Sequence, residues 1–296
     1  MSATTSPSTG RTYGIERVCR VWEVPRSSFY AQRTVSGAAA RSGKRGPKPK
    51  VSDRELLDLI RADLAASPFQ GEGHRKVWAR LKVVGGIRVS RKRVLRIMRE
   101  NALLSPHRVR QGQDLLHEGT ITTQAPNIMW GTDGARVQTV EDGWGWIFPA
   151  VEHWNSECVG WHVCKEGTRY AALEPIAMGL TRIYGSVEPD VARGLALRMD
   201  NGTQYIADHF LHQLRFWGIT PSFAFVEQPQ TNGVAERFNR TLKEQVIHGR
   251  IFRNLAEVRE AVAAFVERYN AEWRVEKLGF LTPLEARDSF RRQDAA

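Results

Sequence analysis

Apolar positions along this chain follow two different rhythms. Over residues 51–104 they recur at helical spacing, and from residue 126 they contract into short runs rich in aromatic and β-branched side chains. In the first stretch Leu56, Leu57, Ile60 and Leu64 follow Ser52 and Glu55, whose spacing predicts a capping box at a helix start. Val77, Trp78 and Leu81 mark a second helix, Gly85-Gly86 a turn, and Ser90 the cap of a third helix with Val94, Ile97 and Met98 on its apolar side. Further upstream, Ile15, Val18 and Trp22 share one helical face. Glu23-Val24-Pro25 ends that helix and Arg26 opens another, a short helix–turn–helix-like pair over residues 11–33.

The second rhythm predicts strands at 128–140, 146–151, 158–163, 194–199 and 220–226. Helices are predicted at 170–184, 204–217, 232–248 and 255–273. Three strands followed by alternating helices and strands describe a mixed α/β layer. Residues 34–50 are rich in Gly, Ala, Pro, Lys and Arg and read as a flexible basic linker, and residues 105–125 read as a polar connector. The expected domains are a segment at 1–33, the linker at 34–50, a helix–turn–helix unit at 51–104, the connector at 105–125, an α/β core at 126–286 and a tail at 287–296.

Charge divides the chain at the same place. Residues 1–124 hold 24 Lys and Arg against 10 Asp and Glu, a balance of +14; residues 125–296 hold 19 against 22, a balance of −3. This distribution suits an arm that grips a polyanion and a body that does chemistry. Arg91, Lys92, Arg93, Arg96 and Arg99 stand on the polar side of the third helix, the expected recognition helix, and Lys44, Arg45 and Lys48 lie in the linker. No run of about 18 apolar residues occurs, so no membrane span is expected, and the Ser/Thr-rich start lacks the apolar stretch of a signal peptide, which points to a cytoplasmic location. Cys19, Cys158 and Cys164 form no C-x-x-C pair, and His209 and His212 lack a second ligand pair, so neither a disulfide framework nor a zinc site is expected.

Three carboxylates carry the candidate chemistry. Asp133 lies inside the first core strand, where a buried charge needs a partner. Asp200 directly follows the apolar run Leu195-Ala196-Leu197-Arg198-Met199 and opens the turn Asp200-Asn201-Gly202, with Gly202 expected to supply a left-handed backbone and Asn201 to shape the turn. Glu236 sits in the first turns of a helix, with 35 residues between it and Asp200. Two strand carboxylates and one helix carboxylate can converge at one sheet edge, and such oxygen ligands suit Mg²⁺ or Mn²⁺.

The flanking residues are Asp200-Asn201-Gly202 and Gln228-Pro229-Gln230-Thr231-Asn232-Gly233-Val234-Ala235-Glu236-Arg237-Phe238-Asn239-Arg240-Thr241-Leu242-Lys243. With the spacing of the carboxylates they resemble the integrase core of the DDE type, which insertion-sequence transposases and retroelement integrases share. The resemblance extends over 126–286, through Tyr269-Asn270 and Leu281-Thr282-Pro283-Leu284-Glu285. The helical unit, with Gly73-His74-Arg75 and Val89-Ser90-Arg91-Lys92-Arg93-Val94, is similar to the helix–turn–helix that precedes that core in the insertion-sequence group, and so is Val24-Pro25-Arg26-Ser27-Ser28-Phe29-Tyr30. No His/Cys zinc module precedes the core, unlike in retroelement integrases. Two departures stand out: Glu152, Asn155 and Ser156 replace the family's usual Asp and Ser-Arg before Val159-Gly160-Trp161, and Gly134 follows Asp133 where a larger residue is common.

The resemblance implies a ribonuclease-H-like fold, a mixed five-stranded sheet flanked by helices. It implies a B-frame transposase that cuts and joins DNA with Asp133, Asp200 and Glu236 on two Mg²⁺ or Mn²⁺ ions. Lys243, two helical turns beyond Glu236, Arg240, one turn beyond it, and Asn232 are expected to contact DNA, with Gln204 a supporting residue. The expected partners are double-stranded transposon ends and target, further copies of the chain in a dimer or larger assembly, and an upstream-frame helix–turn–helix protein or fusion. A nuclease that cuts without joining and a non-catalytic DNA-binding regulator are the alternatives.

Overall fold

The computed structural model describes residues 3–37, 50–106, 122–224 and 232–294, with side chains for all of these but 32–37 and 294. The linker candidates Lys44, Arg45 and Lys48 lie outside the described residues. The chain forms two compact units, residues 1–52 and 53–296. The first holds α1 (Gly14–Val21) and α2 (Arg26–Gly37). Its turn is closed by Val24 N donating to Cys19 O at 2.9 Å, with Glu23 at φ 52°. Cys19 is buried, but Trp22 is 62% exposed, so the predicted Ile15–Val18–Trp22 face is left largely open. Two short helices have too little surface to cover it.

The second unit begins with α3 (Asp53–Ala66), α4 (His74–Val83) and α5 (Arg91–Glu100). Leu56, Ile60, Val77, Leu81, Val94, Ile97 and Met98 interlock as its core. Ser90 caps α5, its Oγ accepting from Arg93 N at 3.3 Å. Arg80 ties the helices together by pairing with Asp63 at 2.7 Å and with the buried Glu72.

The α/β part carries β1 (Met129–Thr132), β2 (Ala135–Thr139), β3 (Gly143–Glu152), β4 (Cys158–Cys164), β5 (Ala196–Met199) and β6 (Thr220–Phe223). The first predicted strand is therefore two strands, broken at Asp133-Gly134. The cause lies across the ladder. Thr132 pairs with Ala150 and Ala135 with Ile147, so Asp133 faces Pro149. His153 N donates to Met129 O at 2.9 Å, which sets the phase of the ladder and makes Asp133–Pro149 a position where bonds would be exchanged. Proline has no N–H to give. Because β1 and β2 are halves of one line along β3, the six strands occupy the five positions expected. β3 is antiparallel to β1, β2 and β4, while β1, β5 and β6 run parallel.

Helices cover both faces of the sheet. On one side α6 (Glu174–Tyr184) and α7 (Asp208–Phe216) enclose Trp130, Phe148, Ile176, Leu197, Tyr205 and Phe210. On the other, α8 (Gly233–Leu242) and α9 (Leu255–Glu272) enclose Val137, Ile147, Phe238, Val258, Val262 and Phe265. A sheet covered on both faces needs strands that are apolar almost throughout, as the central ones are. The predicted 232–248 helix ends as an α-helix at Leu242 and continues as a π-helical turn, Lys243–Ile247. A last helix, α10 (Pro283–Asp294), closes the chain. No helix among the described residues is long and apolar enough to cross a membrane.

The three-helix piece packs on the end of this core. Phe69 meets Trp273 edge-on at 5.0 Å and Trp78 meets Phe280 at 5.6 Å. Gln70 and Gln245 exchange two hydrogen bonds of 2.9 Å. Glu276 receives Arg75 at 2.6 Å and Arg91 at 3.4 Å.

Candidate active site

Asp133 leaves the sheet at the break, with its side chain toward α8. Asn239, on the inner face of α8, donates Nδ2 to Asp133 Oδ2 at 2.9 Å and to Asp133 O at 3.2 Å. Burial pushes the Asp133 carboxyl above the ordinary carboxylate range; Asn239 and Lys243 pull it down, and the charge of Asp200 adds to the rise. Glu236, three residues before Asn239, lines the same open cleft as Asp133, together with Asn239, Arg240, Lys243 and His248. Its carboxyl is raised first by burial and then by Asp133 and Asp200, with Arg240 opposing.

Asp200 is exposed at the end of β5, where its Oδ1 accepts from Gly202 N at 3.0 Å. Asn201 shapes this turn by donating to Ala224 O at 3.1 Å. Gly202 does not take the left-handed backbone expected of it. What matters there is the missing Cβ, which would lie 3.0 Å from Asp200 Oδ1 and 2.7 Å from Gln204 Nε2. All three carboxylates act on one another electrostatically, although among the described residues no three His, Cys, Asp or Glu side chains form a ready metal-holding group.

The other candidates separate by role. Arg240 and Lys243 both reach the cleft. Asn232 is buried instead of facing solvent, and its Nδ2 donates to Thr132 O at 2.8 Å, fastening the start of α8 to β1. On α5, Arg93 and Arg96 each pair with Asp53 at 2.6 Å, and Arg91 shares Glu276 with Arg75. Lys92 and Arg99 are exposed and have no ion pair among the described residues.

Sequence reasoning missed Asn239, His248 and Tyr205. For Asn239 a signal existed, since it stands one helical turn beyond Glu236. Tyr205 carried none: its hydroxyl is buried near Asp133 and Asp200, and burial followed by their charges drives it well above its usual range. The unusual residues before Val159 are structural. Glu152 accepts from Asn127 N at 2.6 Å, Trp154 N at 3.1 Å and Trp130 Nε1 at 3.2 Å, while Asn155 donates to Pro283 O at 2.9 Å.

Comparison with known proteins gives two domain matches and a set of relatives that align with most of this chain. Residues 217–283 match the integrase core domain, and residues 52–111 match an HTH-like domain. The transposase InsD of insertion element IS2 from Escherichia coli is 26% identical over 284 residues, covering 93% of this chain and 91% of that protein. A longer IS2A protein of 48.2 kDa from the same organism is 26% identical over 289 residues, and the chain spans 66% of its length. Among solved structures, the catalytic core of BIV integrase aligns with 57% of this chain and 99% of its own at 21% identity, with a TM-score of 0.41.

Proposed function

We propose that this chain, an insertion-sequence transposase built from an HTH-like domain and an integrase core, cuts DNA strands and joins the new ends through Asp133, Asp200 and Glu236. The observation that carries this assignment is the meeting of Asp133 and Glu236 in one cleft rimmed by Arg240 and Lys243, with Asp200 close enough for its charge to raise both carboxyls. The residues suit divalent cations. The donors are all oxygens, and the carboxyls of Asp133 and Glu236 are raised by burial and by neighbouring negative charge, a cost that a hard cation removes. When bound, two Mg²⁺ or Mn²⁺ ions supply a lowered water pKa and charge neutralisation at the reacting phosphate.

The chain's own side chains do the rest. Asp133, Asp200 and Glu236 would hold the cations, and Asn239 fixes the direction of the Asp133 carboxylate. Arg240 and Lys243 would hold DNA phosphates over the cleft. Cutting and joining both need a hydroxyl in line with a phosphate, so one site serves both without a covalent protein–DNA link. Lys92 and Arg99 on α5 would hold the element's double-stranded end. Two ends must be brought together, which calls for a dimer or a larger assembly acting on DNA in the bacterial cytoplasm. An upstream-frame helix–turn–helix protein or fusion is the proposed additional partner.

The test is metal-dependent strand transfer on a labelled DNA end from the element's own flanks, beside an Asp200→Asn variant. Joined product that disappears in the variant supports the assignment. Cleavage without joining would reassign the chain as a nuclease, and binding without chemistry, even with the upstream frame supplied, would make it a regulator.

A further inference from the structure

Strand β3 carries Trp144, Trp146 and Phe148 at alternate positions, so the three rings stand on one face of the sheet. Phe148 is buried beneath the helices of that face, and Trp146 stacks on it at 5.7 Å with planes 4° apart. Trp144, nearest the β2–β3 turn, is 49% exposed. The row of rings thus runs out of the core onto the surface. Arg136 on β2 lies opposite Trp146, with its guanidinium 4.6 Å from the Trp144 ring centre and 5.6 Å from that of Trp146.

The loop after β4 runs beside the same rings. A Cβ at Gly167 would come within 2.7 Å of the Trp146 indole. This loop presents Lys165, Arg169 and Tyr170 to solvent. Arg169 stands 5.1 Å over Tyr170, which is 53% exposed and packs on His209 at 4.7 Å. The loop is internally braced, with Thr168 N donating to Glu166 O at 2.9 Å and Ala171 N to Thr168 Oγ1 at 3.2 Å. It presents its side chains from a fixed frame.

Charge decides which partner fits. Arg136, Lys165 and Arg169 have no ion pair among the described residues, against one exposed acid in the loop, Glu166. Glu141 and Asp142 at the hairpin turn are engaged elsewhere, with Arg253 at 3.7 Å and Leu255 N at 2.7 Å. An apolar partner would leave three cations unanswered, and an intact duplex offers phosphates but keeps its base faces stacked. Exposed rings beside cations suit bases that have left the stack and the phosphates that join them.

We propose that this face binds an unpaired stretch of the DNA substrate, with Trp144 and Tyr170 each stacking a base and Arg136, Lys165 and Arg169 taking the phosphates. The proposal deepens the strand-cutting assignment and rests on it, since cutting and joining expose unpaired ends. The carboxylate cleft opens on the α8 side of the sheet, and these rings stand on the opposite face.

The test uses the full chain, with a labelled oligothymidylate and a duplex of equal length as probes read by fluorescence anisotropy. Replacing both rings (Trp144→Ala with Tyr170→Ala) is expected to weaken oligothymidylate binding at least tenfold while duplex binding holds. Trp144→Phe with Tyr170→Phe is expected to keep most of the affinity. Arg136→Gln with Arg169→Gln, which leaves the rings in place, is expected to weaken binding and flatten its salt dependence. Undiminished oligothymidylate affinity in the alanine pair, or an equal loss for both probes, would overturn the proposal. Asp200→Asn should abolish cleavage and leave oligothymidylate binding intact. A wild-type chain that binds the oligothymidylate but cleaves nothing would count against the strand-cutting assignment alone.

Discussion

Asn239 gives Asp133 the hydrogen bond that Pro149 cannot. The ladder puts Pro149 opposite Asp133 at a bond-exchanging position, and the Asn239 amide reaches both the orphaned carbonyl, at 3.2 Å, and the carboxylate of the same residue, at 2.9 Å. One side chain therefore closes the strand break and aims the carboxylate. Asn239→Ala should lower strand cleavage about 10- to 100-fold with DNA affinity unchanged, the usual size of effect when a ligand loses its support. Pro149→Ala in that background restores a backbone donor and should recover part of the loss. Rates that combine additively in this double-mutant cycle would show that the two residues do not act on the same group.

Gly134 is required by the aromatic row behind it. A Cβ there would lie 2.9 Å from Phe148 and 3.1 Å from Trp146. Gly134→Val should destabilise the fold by about 1–3 kcal/mol, the typical cost of overpacking. Adding Phe148→Leu should return part of it, as read from urea unfolding midpoints. Equal midpoints for Gly134→Val and the parent would mean that the rings move aside freely.

These two relationships show where sequence reading stopped. The alternation of short apolar runs, the position of Asp200 just past one of them and the distance from Asp200 to Glu236 were legible because each is local or is a count along the chain. The interruption at Asp133 was not legible. It depends on which residue of β3 comes opposite, and register is set by tertiary pairing. The hydrogen bond from Asn232 to Thr132 O was not legible for a similar reason, since 100 residues separate the two. The pairing of Arg93 and Arg96 with Asp53 was hidden too, because 40 or more residues separate the partners.

His153 is buried, with both ring nitrogens lacking a partner among the described residues, and burial pulls its pKa down to about 4. In the unfolded chain an ordinary imidazole takes up its proton near pH 6.5. Between those values the unfolded state binds the proton and the folded state does not, so stability falls as pH drops from 6.5 toward 4. The slope reaches about 1.4 kcal/mol per pH unit for one group. His153→Gln should remove that component from the pH dependence of the urea midpoint. An unchanged slope would assign acid sensitivity to other groups.

Glu276 holds Arg75 at the start of α4 and Arg91 at the start of α5, all three half-exposed. Exposed pairs of this kind contribute about 0–1 kcal/mol, so Glu276→Gln should barely change stability. It should release both arginines to a phosphate backbone. Duplex affinity should rise a few-fold at low salt, and the slope of log K against log salt should steepen by about 0.9 for each further phosphate that the freed arginines neutralise. An unaltered slope would mean that this end of α5 stays off the DNA.

The two-way amide exchange between Gln70 and Gln245 and the meeting of Phe69 with Trp273 fasten the three-helix piece to the π-helical turn that follows α8, the helix of Glu236, and to the end of α9. Under the proposed function, with one part holding DNA and the other cutting it, such a joint would act as a ruler. On the proposed assignment, the interval between the DNA that α5 would hold and the phosphate that would enter the cleft is set by protein, a constant of the fold that the ends of the element would have to match in length as well as in sequence.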